Sequence, residues 1–381
     1  MTNPIPPSSG SPFGPPRTGA APAGGTQGQA LGGGAPPAAP GAPSAPSSFS
    51  APSQEQMNGR ALSPQEERTK DALMALRSEI GKAVVGQEGA VTGLIIALVA
   101  GGHALLEGVP GVAKTLLVRT MATALDVDMA RIQFTPDLMP ADITGSLVWD
   151  AGSSVFEFRR GPVFTNLLLA DEINRTPPKT QSALLEAMEE RQVSVDGQTH
   201  ALADPFMVIA TQNPVEYEGT YPLPEAQLDR FLLKLELPLP GRDAEFGIVK
   251  RHRDGFNPLA LADAGVRPVA SPADIAAARG AAARVDVSDT VLAYLVDVCR
   301  ATRESPSVRL GASPRGATAL LRTTRVWAFL QGRGFATPDD VKAMAAPTLA
   351  HRIGLRAEAD LEGLTAARVV EGVLAQVPVP R

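Results

Sequence analysis

The chain holds one cysteine, four histidines and few aromatic residues, 4% of its 381 positions. The cysteine, Cys299 in the apolar run VLAYLVDVC, excludes a disulfide within one chain and reads as a buried, inert thiol. The histidines are scattered, and no Cys/His spacing suggests zinc. Long apolar runs are missing as well. The longest, VTGLIIALVAGG, has 12 residues and three glycines. It is too short to cross a bilayer and reads as a buried helix. No basic stretch followed by an apolar one opens the chain, so a secretory signal is not expected and a cytoplasmic location is. Nor is positive charge in excess. Thirty-five Lys and Arg against 40 Asp and Glu leave a net charge of -5, which argues against a protein that chiefly coats nucleic acid or an anionic membrane.

Proline and glycine are present in excess, and they crowd one end. Of the first 60 residues, 42 are Gly, Pro, Ala or Ser, and only Arg17, Glu55 and Arg60 carry charge. Such a segment buries too little apolar surface to offset its ordering entropy, so residues 1–62 are expected to be a disordered tail. Order is expected from SPQEER onward. There Ser63 as N-cap, Pro64 at the first helical position and Glu66 at the third make a capping box.

Beyond it, short apolar runs alternate with helical ones. HALLEGV, RIQF, NLLLADE, FMVIATQN and FLLKLELP read as strands, with GQEGAVTGLIIALVAGG, AKTLLVRTMATAL and QSALLEAMEE as helices. That alternation predicts an α/β fold, a parallel sheet covered on both faces, with ligands at the carboxyl ends of its strands. Two stretches interrupt it. SLVWDAGSSVFEFRRGP reads as an inserted hairpin around Gly152, and RQVSVDGQTHAL as a second, with Asp196-Gly197 at a type I′ turn. After Pro240 the texture is helical, and Ser271-Pro272, Ser313-Pro314 and Thr337-Pro338 each read as an N-cap followed by proline. The expected organisation is an α/β domain over 63–240 and a smaller all-helical domain over 241–381.

The chemistry gathers at LEGVPGVAKT. A phosphate loop of the pattern G-x-x-x-x-G-K-S/T turns backbone N–H groups onto an anion at a helix N-terminus. Here Gly108, Val109, Pro110, Gly111, Val112, Ala113, Lys114 and Thr115 fill the pattern, except that Ala113 replaces its second glycine. Lys114 can meet the β- and γ-phosphates and Thr115 a magnesium ion. Ala113 is expected in the first helical turn with ordinary backbone angles. The other reading of the loop is a glycine turn that happens to precede a lysine.

NLLLADE ends in Asp171 and Glu172, where P-loop NTPases place a magnesium-holding aspartate and a glutamate that polarises the attacking water. Strand-end acids that simply meet solvent are the alternative. Asn213, ending FMVIATQN, could orient the water or touch the γ-phosphate; it could also be an Asn-Pro turn residue. Arg230 follows a short helix, EAQLDRF, where a cation is comfortable. Arg315 stands at the second position of a helix in GASPRGATALL, where the helix dipole disfavours it. An anion opposite would explain it, and a nucleotide phosphate would serve.

In this order, GVPGVAKT, LLLADEINRTPPKTQSALLEAMEERQV, VIATQNPVEYEGTYPLPEAQLDRF and GASPRG resemble the MoxR family of AAA+ ATPases over roughly residues 64–375. Alanine before the lysine is common in that family. The resemblance implies a P-loop NTPase sheet with an insert in the second helix, a hairpin before the sensor strand and a helical lid. It implies ATP and Mg2+ as ligands. Lys114 and Thr115 would be loop residues, Asp171 and Glu172 the magnesium and water residues, and Asn213 the first sensor. Arg230 would be an arginine finger offered to a neighbouring subunit and Arg315 the second sensor, in its own subunit or the next. Val85, Gly86 and Gln87 would lie near the adenine. An arginine shared between subunits implies a head-to-tail homo-oligomeric ring, usually a hexamer. Proteins similar to this one are chaperone-like remodelers that assemble or mature other proteins, often beside von Willebrand A domain partners.

Three other uses of such a module remain open from the sequence. One is a nucleic-acid motor, although neither hairpin interleaves basic residues with aromatics. The others are a nucleotide-gated scaffold with little turnover and the motor subunit of a chelatase.

Overall fold

Alternate residues of the central strands enter two different hydrophobic cores, as a sheet covered on both faces requires. The computed structural model describes residues 60–152, 154–213 and 219–380. The expected tail lies outside them except for Arg60, Ala61 and Leu62, and Leu62 joins the core.

Helix α1 (Pro64–Gly81) begins at the expected capping box. The Glu66 amide donates to Ser63 Oγ, and the Ser63 amide donates to the Glu66 carboxylate at 2.9 Å. Helix α2 (Glu88–Val99) is apolar all round and buried at nine of 12 residues. Then come β1 (Ala104–Glu107), α3 (Lys114–Leu125) and β2 (Met129–Gln133). Short helix α4 (Pro140–Thr144) leads into an antiparallel hairpin, β3 (Gly145–Asp150) with β4 (Val155–Arg160). Strand β5 (Leu167–Asp171) and helix α5 (Pro178–Glu190) precede the second hairpin, β6 (Gln192–Val195) with β7 (Gln198–Ala201). Its turn residues Asp196 and Gly197 have φ of 49° and 74°, the left-handed pair of a type I′ turn. Strand β8 (Met207–Gln212), helix α6 (Glu225–Leu228) and β9 (Leu233–Glu236) close the sheet.

The sheet order is β2-β5-β8-β1-β9, every pairing parallel. Leu106, Leu167, Leu169, Met207 and Ile209 face one core with α1, α2 and α3. Leu105, Leu168, Ala170, Val208 and Ala210 face the other, against Leu184, Leu185 and Met188 of α5. Each leucine removed from water contributes about 1.5–3 kcal/mol. The two hairpins stand beside one another, with Phe158 of β4 stacked on His200 of β7 at 4.3 Å.

From Arg242 the chain is helical: α7 (Arg242–Arg253), α8 (Pro272–Ala283), α9 (Asp289–Glu304), α10 (Pro314–Leu330), α11 (Pro338–Leu349), α12 (Ala357–Leu361) and α13 (Ala366–Gln376). Two very short antiparallel strands, β10 (Val308–Leu310) and β11 (Gly354–Leu355), are the exception. Ser271, Ser313 and Thr337 precede helix-starting prolines as the sequence predicts. Phe329 and Val341 belong to the same apolar core as β1 and α2, so it runs unbroken from sheet to lid.

Candidate nucleotide-binding site

Register sets the site. Leu106, Thr211 and Asp171 lie at one level across β1, β8 and β5, so Gly108, Asn213 and Glu172 emerge together at the carboxyl edge. Gly108 begins the loop where a Cβ would stand 2.7 Å from the Leu237 carbonyl oxygen, which only glycine avoids. Gly111 has φ of 88°, with nothing within 4 Å of a Cβ position: an open, left-handed bend of the kind an anion cradle needs. Val109 packs on the core, Pro110 is exposed and Val112 is buried. The Lys114 ammonium donates to the Gly108 carbonyl and so lies across the loop.

Ala113 departs from expectation. It is the N-cap of α3 rather than part of its first turn, and its φ and ψ of 64° and 27° are left-handed. A Cβ there is strained by roughly 1–2 kcal/mol, which is why glycine fills this place in the general pattern. The helix begins at Lys114, one residue later than alanine's propensity suggests.

Asp171 and Glu172 both reach the crevice because the backbone turns left-handed at Glu172, φ 58° and ψ 50°. Non-glycine strain of this kind collects at functional sites. Four neighbours hold the acids. The Thr211 hydroxyl donates to Asp171 Oδ1 at 2.6 Å and accepts from the Glu172 amide at 2.9 Å. Arg131 donates to Asp171 Oδ2 at 2.7 and 3.2 Å. Glu172 Oε2 accepts from Gln133 Nε2 at 2.7 Å and pairs with Arg175 Nε at 3.0 Å. Asn213 is buried at the tip of β8. Pro214, its partner in the alternative turn reading, lies outside the described residues.

Beside the loop is a cleft of about 170 Å³, lined by Val84, Val85, Gln87, Val112, Leu116, Ile248 and Phe256. Its mostly apolar walls, joined by Arg251 and His252, suit a flat base with polar edges. Gly86 does not line it: its φ is 78°, and a Cβ there would press on Pro240 and Ala244. Gln87 is buried, with its amide donating to the Pro238 carbonyl at 3.0 Å.

Arg230 and Arg315 are elsewhere. Both line a second cavity, of about 300 Å³, with Gly101, Gly102 and His103. Those three residues precede β1, whereas the loop follows it. At about 3.3 Å per residue, the chain from Gly102 through β1 to Gly108 puts roughly 20 Å between that cavity and the subunit's own phosphate cradle. Arg315 is the second residue of α10, as the sequence predicts, but the anions opposite it are Glu189 at 3.2 Å and Asp229 at 3.7 Å. No phosphate is needed to explain it. Arg230 lies two residues beyond α6 and contacts the Leu185 carbonyl at 2.7 Å and Glu189 at 3.2 Å.

Residues 103–233 match the family described as ATPase family associated with various cellular activities (AAA), and residues 300–373 match an AAA lid domain. Chaperone MoxR1 of Mycobacterium tuberculosis is 41% identical over 312 residues, covering 80% of this chain and 81% of the relative. The chain belongs to the MoxR family of AAA+ ATPases. An uncharacterized Bacillus subtilis protein, YeaC, is 47% identical over 79% of this chain and 92% of its own length. A crystal structure of a candidate ATPase from Cytophaga hutchinsonii superposes with a TM-score of 0.77 at 40% identity, covering 83% of this chain and 97% of that one.

For a MoxR-family chain the donor set fits a nucleotide with its metal. The cradle at Gly111 is open, and Asp171 is 14% exposed at the same edge of the sheet. Among the described residues no cluster of three or more His, Cys, Asp or Glu could hold a metal by itself. Magnesium at phosphates needs only one or two carboxylates. The sequence reading missed Thr211, Arg131, Gln133 and Arg175 around the acids, and Glu189 and Asp229 around the arginines. One signal was available: Arg131 and Gln133 alternate on β2, and so share the face that meets the end of β5.

Proposed function

We propose that this MoxR-family protein hydrolyses ATP with Mg2+ in a cytoplasmic head-to-tail ring, a hexamer, and spends the energy as a chaperone-like assembly factor on a protein partner. One observation supports the reading: Arg230 and Arg315 lie toward the opposite end of the sheet from Lys114, out of reach of their own subunit's nucleotide and free of that site to serve an adjoining copy's. Such an interface is heterologous and closes into rings.

Bound Mg2+ would neutralise phosphate charge and orient the nucleotide, held by Thr115 and Asp171. Lys114 supplies a point charge to the phosphates, and the backbone of Gly111–Thr115 supplies N–H donors. Val85 and Gln87 border the base, and Gly86 lets the backbone turn there. The attacking water gives its proton to the Glu172 carboxylate, whose Oε2 is anchored by Gln133 and Arg175. Asn213 orients that water. Arg230 and Arg315 of the adjoining copy stabilise charge on the transferred phosphoryl group.

The first hairpin supports a protein client; a von Willebrand A domain protein is the partner that the family resemblance implies. Its tip presents Trp149 and Phe156, 52% and 65% exposed and packed edge to face at 5.1 Å, beside Asp150 and Glu157. An apolar, acid-flanked tip suits polypeptide and repels a phosphodiester backbone. The test is Glu172→Gln with Lys114→Ala as control. Glu172→Gln should bind ATP, stop turning it over and stall with its client, while Lys114→Ala should fail to bind. Full turnover by Glu172→Gln would overturn the reading.

A further inference from the structure

One carboxylate holds two arginines of the second cavity, Arg230 and Arg315, together. Glu189 Oε2 meets Arg230 Nη1 at 3.2 Å and Glu189 Oε1 meets Arg315 Nη1 at 3.2 Å, one oxygen for each guanidinium. Glu189 is next to last in α5, at the negative pole of that helix. Arg315 is second in α10, at the positive pole. Each charge stands at the end of its helix that disfavours it, and each is explained by the other.

Stability does not account for the arrangement. The side chains of Glu189, Arg230 and Arg315 are 40%, 31% and 47% exposed, and ion pairs in such positions contribute little. Nor does the carboxylate exhaust the positive charge. Arg191, Arg230, Arg315, Arg322 and Arg352 line the cavity against only two acids, Glu189 and Asp229. Burial, then the neighbouring Arg191, Arg279 and Arg315, lower the pKa of Arg322, as in a cationic pocket with capacity to spare.

We propose that Glu189 is a positioning residue. It pairs Arg230 with Arg315 and occupies the seat that a terminal phosphate of the nucleotide on the adjoining copy takes. This rests on the reading that both arginines act across a subunit boundary. Two oxygens of a carboxylate and two oxygens of a phosphate present the same fork to a pair of guanidinium groups. Phosphate carries more charge and a further oxygen, so it displaces Glu189 when the neighbour is loaded. Glu189 takes the arginines back when phosphate leaves. The arginines therefore never scatter, and their release is tied to the neighbour's nucleotide.

The test is steady-state turnover of the assembled full chain against ATP concentration. Glu189→Gln keeps the size and removes the charge, so the competitor is gone. KM for ATP should fall about threefold to tenfold, the worth of two exposed ion pairs, with kcat changing less than KM. Glu189→Asp, which keeps the charge on a shorter stem, should fall between. On the residual turnover of Arg315→Ala only the Arg230 pair remains, so the drop should shrink to roughly twofold to threefold. A purely structural role would lower the melting temperature without splitting KM from kcat. An unchanged or raised KM in Glu189→Gln, or an undiminished drop in the Arg315→Ala background, overturns the proposal. If Arg230→Ala and Arg315→Ala themselves keep full turnover, the reading of the arginines has failed and the proposal falls with it.

Discussion

Thr211 ties Asp171 to Glu172: its hydroxyl donates to the Asp171 carboxylate at 2.6 Å while accepting the Glu172 amide at 2.9 Å. One fully buried hydroxyl thus fixes both the aspartate and the strained turn that presents the glutamate. Thr211→Val keeps the shape and removes both bonds. Turnover should fall roughly 10- to 100-fold, with about 1–3 kcal/mol lost from folding as the Glu172 amide loses its acceptor. Steady-state kinetics and thermal melts check this, and unchanged turnover would show that the acids need no such brace.

Ala113 holds a left-handed backbone at the N-cap of α3. Ala113→Gly removes strain of roughly 1–2 kcal/mol, against about 0.5–1 kcal/mol of added freedom in the unfolded chain. A net gain of up to about 1.5 kcal/mol in unfolding free energy is expected, with ATP affinity little changed. Denaturant titration and nucleotide binding measure the two separately. A large gain in affinity would mean that the methyl group obstructs the cradle.

His103 makes stability depend on pH. It is buried between the Met188 carbonyl at 3.0 Å and the Val208 amide, which donates to Nδ1 at 2.9 Å. Burial pushes its pKa down to about 4; the Met188 bond opposes the fall, and Arg191 and Arg322 add to it. With the folded value below the ordinary 6.5, its contribution is fully present above about pH 6.5 and is lost as pH falls toward 4. The loss is on the order of 3 kcal/mol. Buried His351, also well below its ordinary value through burial and Arg352, acts in the same direction. Melts at pH 7 and pH 5 should differ clearly, and His103→Gln should flatten that interval. An unchanged slope would remove His103 from the account.

These contacts mark where the sequence stops being legible. Four of the five strands are written as apolar runs, β2 as the alternating RIQF, and the hairpin turn as Asp196-Gly197, because period and turn chemistry are local. Lys114, Asp171 and Glu172 are legible as residue types at the ends of those runs. Thr211 and Asp171 are 40 residues apart, and Arg315 and Glu189 are 126 apart; only strand register and helix packing bring them together. The backbone of Ala113 was misread for another reason. Alanine's helical propensity is a weak prior, and the loop's need for inward N–H groups overrides it.

The central claim is that each nucleotide site is completed by Arg230 of the adjoining copy. Mixing two full-length variants, Lys114→Ala and Arg230→Ala, tests it most directly. Each alone should be nearly inactive, since one lacks the cradle's cation and the other the arginine. In a random one-to-one mixture about a quarter of the boundaries pair an intact loop with an intact arginine, so turnover should recover to about a quarter of the parent rate. Turnover that stays at the level of the separate variants would place Arg230 in its own subunit's service and contradict the account.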